Sequence, residues 1–299
     1  MPTVKEKANA KINLYLDVLS KREDGFHDIK TVMHSVAFGD RITVSAEPAQ
    51  ETTIRLYSNG SRYLPTDSRN LAYRAAELYL SHAAITASVE ITLEKRIPIA
   101  AGLAGGSSDA AAVLRALNKI YNRLFSIKAM NSLAAELGSD VVYCLYGKTA
   151  LCEGRGELIT KIHNFPELYV VIAVANEHVS TPSAYKRLDE LFSDFDGNIN
   201  TGGEEHFEEL MKSIEDGEVS PDGLFNVFER AVLPECKGAA LIKSRLIELG
   251  AKASMMSGSG PSVFGIFSTY DEARSACAVL RQERFKAYYA KSVRENYFR

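Results

Sequence analysis

The stretch PIAAGLAGGSSDAA, residues 98–111, carries the residue types needed to hold an anion. Gly102, Gly105 and Gly106 stand directly before Ser107, Ser108 and Asp109 and a periodic run in which Ala110, Val113, Leu114, Leu117 and Tyr121 fall on one helical stripe. Glycines let the backbone approach a charged group closely, and the free N–H groups of a helix start supply donors and a partial positive charge. A tight strand-to-helix turn capped by Ser107 or Ser108 is the plainer use of a glycine pair. Three glycines, two hydroxyls and a strongly periodic helix favour phosphate. A helix end alone stabilises an exposed anion by roughly 0.3–1 kcal/mol, too little to hold a triphosphate, so a divalent cation and at least one lysine are also required.

Other phosphate motifs fall away. GKT at 147–149 mimics the end of a P-loop, but Val142 stands where its first glycine belongs and a strand follows. No G-x-G-x-x-G joins a strand to a helix with an acid downstream, and the protein-kinase HRD and DFG signatures are absent. A second glycine cluster, MSGSGPSVFG at 256–265, reads by itself as a hairpin turn. Lys11 in AKINL reads by itself as a solvated strand charge, and Asp140, just past a helix-ending Gly138, as a turn residue. Cys144, Cys152, Cys236 and Cys277 lack CxxC spacing or suitably placed histidines, which indicates buried thiols rather than zinc or a disulfide framework.

These residues need elements to position them. Residues 12–18 alternate Ile12, Leu14, Leu16 and Val18 with Asn13, Tyr15 and Asp17, the period-two pattern of a half-buried strand that aims Asn13 away from the core. Residues 41–46, 52–58 and 88–95 read as further strands, and a helix follows Asn70. Ser126 caps a helix ending at Gly138, and 141–146 and the segment from Thr149 read as strands. Then come a strand at 169–175, a helix from STPSAYKRLDELF with Pro182 in its first turn, a loop over 194–205 and several acidic helices. The end reads strand, SGSGP turn, strand, helix, strand, an open-faced sandwich. The class is α+β, with two domains, 1–160 and 161–299, and a charge and loop change near 155–168.

A chain of 299 residues with 46% apolar types can bury two such cores. A formal net charge of -3 gives no broad reason to bind nucleic acid or an anionic membrane. The first residues hold no apolar targeting core, and the longest apolar run, Tyr169 to Ala175, is too short to span a bilayer, which points to the cytoplasm.

The ordered triplet AKINL, PIAAGLAGGSSDAA and MSGSGPSVFG resembles the three motifs of the GHMP kinases and spans almost the whole chain. With AKINLYLDVLSKREDGFHDIKTVM (10–33) and LGSDVVYCL (137–145), it is similar to the diphosphocytidyl-methylerythritol kinase family in particular. The resemblance implies a ribosomal protein S5 domain 2-like ATP-binding domain followed by a ferredoxin-like substrate-binding domain. It implies transfer of the ATP γ-phosphoryl group to the 2-hydroxyl of 4-diphosphocytidyl-2-C-methyl-D-erythritol, with Mg²⁺, by a monomer or homodimer. The family's catalytic pair maps onto Lys11 and Asp140. A lysine nearby weakens an Asp as a base, so Asp140 would mainly align the hydroxyl, which suits a loose transition state. Pro98, Ala100, Ala101, Gly102, Leu103, Ala104, Gly105, Gly106, Ser107 and Ser108 would surround the phosphates, with Ser108 toward Mg²⁺. Asn70 and Lys95 would serve adenosine or, as plainer readings, cap a helix and lie solvated. Phe26 and Tyr185 would sandwich the cytosine while His27 reads its edge, and Asn13 and Thr181 would face the methylerythritol end. The plainer reading of Phe26 and Tyr185 is core.

Departures from the family pattern fall mostly on the substrate side. Phe26 replaces a usual Tyr, Val142 a proline, and ANEHVST (175–181) a Lys-Pro segment. Ala100, Ala101 and Ala104 stand where some relatives have glycine, which predicts negative φ there. The competing readings are another GHMP kinase acting on a different small alcohol, and a GHMP-fold protein that binds ligand without catalysis. The DGFH and Tyr185 segments argue against the first, and retention of Lys11 and Asp140 against the second.

Overall fold

The structure, a computed structural model, describes residues 1–60, 64–192 and 201–293. β1 (Thr3–Lys21), β2 (His27–Pro48), β3 (Thr53–Asn59), β4 (Ala87–Glu94), β5 (Thr149–Glu153) and β6 (Leu158–Lys161) belong to one sheet, with α1 (Leu71–Ala83), α2 (Gly105–Ile120), α3 (Ile127–Leu137) and α4 (Ser139–Tyr146) packed with them around one core. The strand order is β3-β4-β2-β1-β8, with β5 on β2 and β6 on β5. The last strand of that path, β8 (Phe225–Asn226), comes from far along the chain and pairs parallel to β1 at Tyr15 and Leu16.

A second, antiparallel sheet comprises β7 (Tyr169–Val174), β9 (Ala253–Met256), β10 (Ser262–Phe267) and β11 (Lys286–Lys291) in the order β11-β7-β10-β9, the ferredoxin-like arrangement expected from the sequence. α5 (Thr181–Leu191), α6 (Glu204–Glu215) and α7 (Phe228–Val232) precede α8 (Lys237–Glu248) and α9 (Tyr270–Gln282), which pack on one face of this sheet. Its other face meets the first sheet, where Ile172 and Phe264 share one apolar cluster with Ile12 and Leu14. Fully burying side chains of this kind contributes roughly 1.5–3 kcal/mol each, so the halves are held by core packing. All four cysteines are buried and free. No helix among the described residues is long and apolar enough to cross a membrane.

Four local expectations change. β1 is covered on both faces, because Asn13, Tyr15 and Asp17 are as buried as Ile12 and Leu14. α2 is buried all round from Ser108 to Asn118 rather than along one stripe; its alanines let it lie close against α1, α4 and the sheet. Residues 139–146 form α4, a helix, where a strand was expected. Its apolar run shows no alternation, and Arg115 of α2 donates to the Cys144 carbonyl, satisfying a late group of the helix. Of the expected 194–205 loop, residues 194–200 lie outside the described residues, and Glu204 and Glu205 open α6.

Candidate active site

β1 delivers Lys11 and Asn13 between irregularities in its pairing with β2, at Asn9/Lys11 and Asn13/Tyr15. Such bulges re-aim side chains locally. Lys11 is 4% exposed, and its Nζ donates to Asn13 Oδ1 at 2.6 Å. Asn13 Nδ2 donates on to Thr31 Oγ1 at 2.9 Å, and Thr31 donates to the Tyr15 carbonyl at 2.6 Å. No carboxylate of the described residues forms an ion pair with Lys11. A buried ammonium with one neutral acceptor is costly unless an anion joins it.

The backbone N–H of Lys11 donates to the Leu103 carbonyl at 3.2 Å, which anchors the 98–106 loop over β1. Within this loop Ala101 and Leu103 are buried, while Ala100 and Ala104 have φ of 53° and 55°. The expected negative φ is therefore corrected at these two alanines: the loop takes left-handed turns that packing imposes at a cost. Ala104 is the residue before α2, and no side chain caps the helix. Ser108 instead donates from Oγ to the Gly105 carbonyl at 3.0 Å, correcting its expected capping role, and its backbone N–H bonds to the Ala104 carbonyl. The N–H groups of Gly105, Gly106 and Ser107 remain without a backbone acceptor among the described residues. An uncapped helix start of this kind can receive an anion.

Residues 257–260 dock onto this loop. Ser257 Oγ donates to the Gly102 carbonyl at 3.1 Å, and a Cβ on Gly102, whose φ is 75°, would lie 2.2 Å from the Ser257 carbonyl oxygen. Gly258 reaches the same place, with its notional Cβ 3.3 Å from Lys11 Nζ. Gly102→Ala should push the two loops apart and remove roughly 1–3 kcal/mol of stability, seen as a melting temperature several degrees lower, together with a raised KM for ATP; an unchanged melting curve would count against the contact. Asn226 of β8 holds the second loop by donating to the Met256 and Gly258 carbonyls at 2.7 and 2.9 Å. Neither its motif nor its spacing marks Asn226 in the sequence.

Asp140 lies in the first turn of α4, half-buried, with no hydrogen-bond or ion-pair partner among the described residues. Its charge, with that of Lys11, acts on the Cys144 and Cys152 thiols, which burial pushes well up. It also reaches Tyr185 of α5, whose hydroxyl burial and then Asp140 raise to about 12. The charges of Lys11 and Asp140 thus both reach the Cys144 and Cys152 thiols, and that of Asp140 the Tyr185 hydroxyl. Thr181, at the start of α5, shares a 2.8 Å hydrogen bond with Ser259.

The His27 and Tyr185 rings stack at 4.7 Å. Phe26, at the hairpin tip, is 55% exposed, carries Arg155 over its ring at 4.8 Å and does not pair with Tyr185. Strand pairing of His27 with Lys21 brings the histidine, rather than Phe26, against α5. Asn70 caps α1 by accepting from Ala72 N at 3.0 Å and donates to the Pro65 carbonyl. Lys95, 5% exposed at its side chain, is not the solvated charge of the plainer reading: it pairs with Asp40 and, at 2.6 Å, with Asp109. Burial raises the Asp109 carboxyl to about 8 against the pull of Lys95, and its Oδ1 has no hydrogen-bond partner. Beside Pro98 and Ala100 a groove of about 530 Å³ opens, lined also by Gly60, Arg96, Asn176 and His178. Lys148 of the GKT segment engages its carbonyl with Ser35 N and the Tyr143 hydroxyl, and β5 starts at Thr149, so no phosphate loop forms there.

Comparisons with known proteins agree with this geometry. The family profile "GHMP kinases N terminal domain" matches residues 70–148 and "GHMP kinases C terminal" matches 203–287. A "4-diphosphocytidyl-2-C-methyl-D-erythritol kinase" of Listeria innocua is 40% identical over 278 residues, 92% of this chain and 91% of that protein. One of Geobacillus thermodenitrificans is 43% identical over 263 residues, 87% of each chain. The crystal structure of a 4-(cytidine 5'-diphospho)-2C-methyl-D-erythritol kinase superposes with a TM-score of 0.78 at 33% identity, covering 96% of this chain and 98% of that one. A homoserine kinase from Cytophaga hutchinsonii, at 20% identity and a TM-score of 0.76 over 99% of this chain and 96% of that one, shares the fold.

Proposed function

This chain belongs to the 4-diphosphocytidyl-2-C-methyl-D-erythritol kinase family of the GHMP kinases, and from that premise we propose how its residues divide the reaction. The enzyme phosphorylates the 2-hydroxyl of 4-diphosphocytidyl-2-C-methyl-D-erythritol in the non-mevalonate isoprenoid pathway. ATP is the donor, as in the GHMP kinases. The observation that carries the assignment of roles is the buried Lys11 ammonium, without a counter-charge, beneath both glycine loops.

The ATP phosphates take the free N–H groups of Gly105, Gly106 and Ser107, along the loop from Pro98 to Ala104. Lys11 supplies the missing countercharge to the transferring group and to the attacking hydroxyl. Asp140, unpartnered among the described residues in the first turn of α4, accepts the hydroxyl proton late and chiefly aligns the oxygen. A loose phosphoryl transition state asks mainly for positioning and charge neutralisation, which these two groups provide. Among the described residues no cluster of three His, Cys, Asp or Glu side chains forms a metal cage. Mg²⁺ would be held mostly by ATP oxygens, with the Ser108 hydroxyl, and Ser107 beside it, as the protein oxygens within reach, and it would neutralise phosphate charge. Adenosine lies toward Asn70 and Lys95, which act through the helix cap and the buried ion cluster rather than by free polar groups. The cytosine packs among Phe26, His27 and Tyr185, and the methylerythritol end meets Asn13 and Thr181. Residues 1–160 then form the ATP-binding domain, which also lends Asn13, Phe26 and His27 to the substrate, and 161–299 the substrate-binding one, which lends β8 to the first sheet.

ADP release with MgATP and 4-diphosphocytidyl-2-C-methyl-D-erythritol tests the reaction. The expected result is ADP that depends on the acceptor; ADP with homoserine or mevalonate instead would move the enzyme elsewhere in the superfamily. Absence of ADP with every acceptor would make it a binding protein.

A further inference from the structure

We propose that Asp189 is the positioning residue of the nucleobase pocket: it fixes the His27 ring with its proton on Nε2, so that Nδ1 meets the base as an acceptor and selects an amino-bearing pyrimidine over an oxo-bearing one. The inference rests on the reading that His27 meets the cytosine.

Two side chains of α5 hold this ring. Asp189 Oδ1 lies 2.7 Å from His27 Nε2, and the other carboxylate oxygen takes Lys21 Nζ at 2.6 Å. Lys21 and His27 are cross-strand partners at the ends of β1 and β2, so the hairpin presents both to one carboxylate. Tyr185 and Asp189 stand four residues apart on α5 and share a helix face. One helix therefore grips the imidazole twice, with Tyr185 against its flat face and Asp189 at its edge. The ring is buried, with 7% of its side chain exposed.

The sense of the hydrogen bond follows from charge. Burial works to raise the Asp189 carboxyl, but hydrogen bonds from Lys21 and His27 hold it below the usual range, so it is ionised and can only accept. In the neutral ring the proton then sits on Nε2, and Nδ1 carries a bare lone pair. Nδ1 has no hydrogen-bond partner among the described residues, which leaves it as the ring's free polar position. Cytosine offers an amino donor at C4 where uracil offers an oxygen acceptor. An acceptor at Nδ1 suits the first and opposes lone pairs to the second. Sites that hydrogen-bond a specific group discriminate strongly against an analogue with the wrong polarity.

Asp189→Asn, in the full chain, tests the assignment. Lys21 can only donate and claims the single amide oxygen, which turns the amide NH₂ toward Nε2 and drives the His27 proton to Nδ1. Nitrogen-15 spectra of histidine-labelled protein should show Nε2–H in the native enzyme and Nδ1–H in the variant. KM for the cytidine substrate should rise about tenfold, with kcat within about twofold and KM for ATP unchanged. The preference for the cytidine substrate over its uridine counterpart should narrow by at least the same factor. Asp189→Ala should abolish the tautomer preference and narrow the base preference without reversing the proton. An unchanged tautomer and base preference in both variants overturns the proposal, as does a parallel loss of kcat and ATP affinity with a lowered melting temperature, which marks a structural role. A native enzyme that turns over neither nucleotide acceptor sinks the pocket reading itself, and the proposal with it.

Discussion

Asp140→Asn should lower kcat by roughly 10²–10⁴-fold while leaving KM for both substrates within a few-fold, in a steady-state assay of ADP release. The asparagine preserves the size of the side chain and one oxygen acceptor, and it sits in the first turn of α4, where loss of a negative charge costs roughly 0.3–1 kcal/mol of helix stability. Folding is therefore untouched on the scale of the catalytic loss. In the structure Asp140 pairs with nothing among the described residues, so no salt bridge or network collapses with it. The amide cannot take the proton of the attacking hydroxyl, and its NH₂ competes to donate where the hydroxyl must donate. On the proposed division of roles, binding uses the glycine loops and the aromatic pocket and stays intact. An Asp140→Asn enzyme with more than a tenth of native turnover would remove Asp140 from the mechanism.

Lys11→Met should separate stability from activity in opposite directions. Methionine fills nearly the same volume on the same strand, so the packing around Ile12 and Leu14 persists. The charge it removes is 4% exposed and balanced by one amide oxygen, an arrangement that costs the unliganded fold energy. The variant should melt at the native temperature or above it, even though Asn13 Oδ1 loses its donor. Turnover should fall roughly 10²–10³-fold, the scale set by losing one preorganised electrostatic partner of a transition state. A lysine kept for structure would give the reverse pattern, a lowered melting temperature with activity falling in step. Thermal unfolding and ADP release on the same preparation decide between them.

Much of this site was legible because its chemistry is written in contiguous strings. The order of AKINL, the 98–111 loop and the 256–265 turn carried the family, and the last strand-turn-strand-helix-strand run carried the second sheet. What stayed hidden depends on packing between distant segments. VVYCLY forms a helix because α2 and α3 surround it, a context that β-branched residues cannot announce. Ala100 and Ala104 adopt left-handed φ because the loop is pinned by Leu103 and by the Gly102–Ser257 contact. Asn226 clamps a loop that begins 30 residues later, and Asp189 meets a histidine 162 residues earlier. Neither has a neighbour in sequence that hints at its partner. Thr31 was inside a motif already singled out, yet its place at the end of the Lys11–Asn13 chain comes only from strand register.

The return of β8 to the first sheet bears on how the chain is made. β1 has β2 on one side, while on its other side Tyr15 and Leu16 pair with Phe225 and Asn226, about 65 residues after β6 closes at Lys161. At a synthesis rate of roughly 5–20 residues per second, the Tyr15–Leu16 stretch of the β1 edge waits about 3–13 s for its partner. Exposed edges recruit other strands, and over that stretch Ile12 and Leu14 also lack the second sheet that covers them. Lys11 thus reaches its final surroundings only when residues 256–260 have left the ribosomal tunnel.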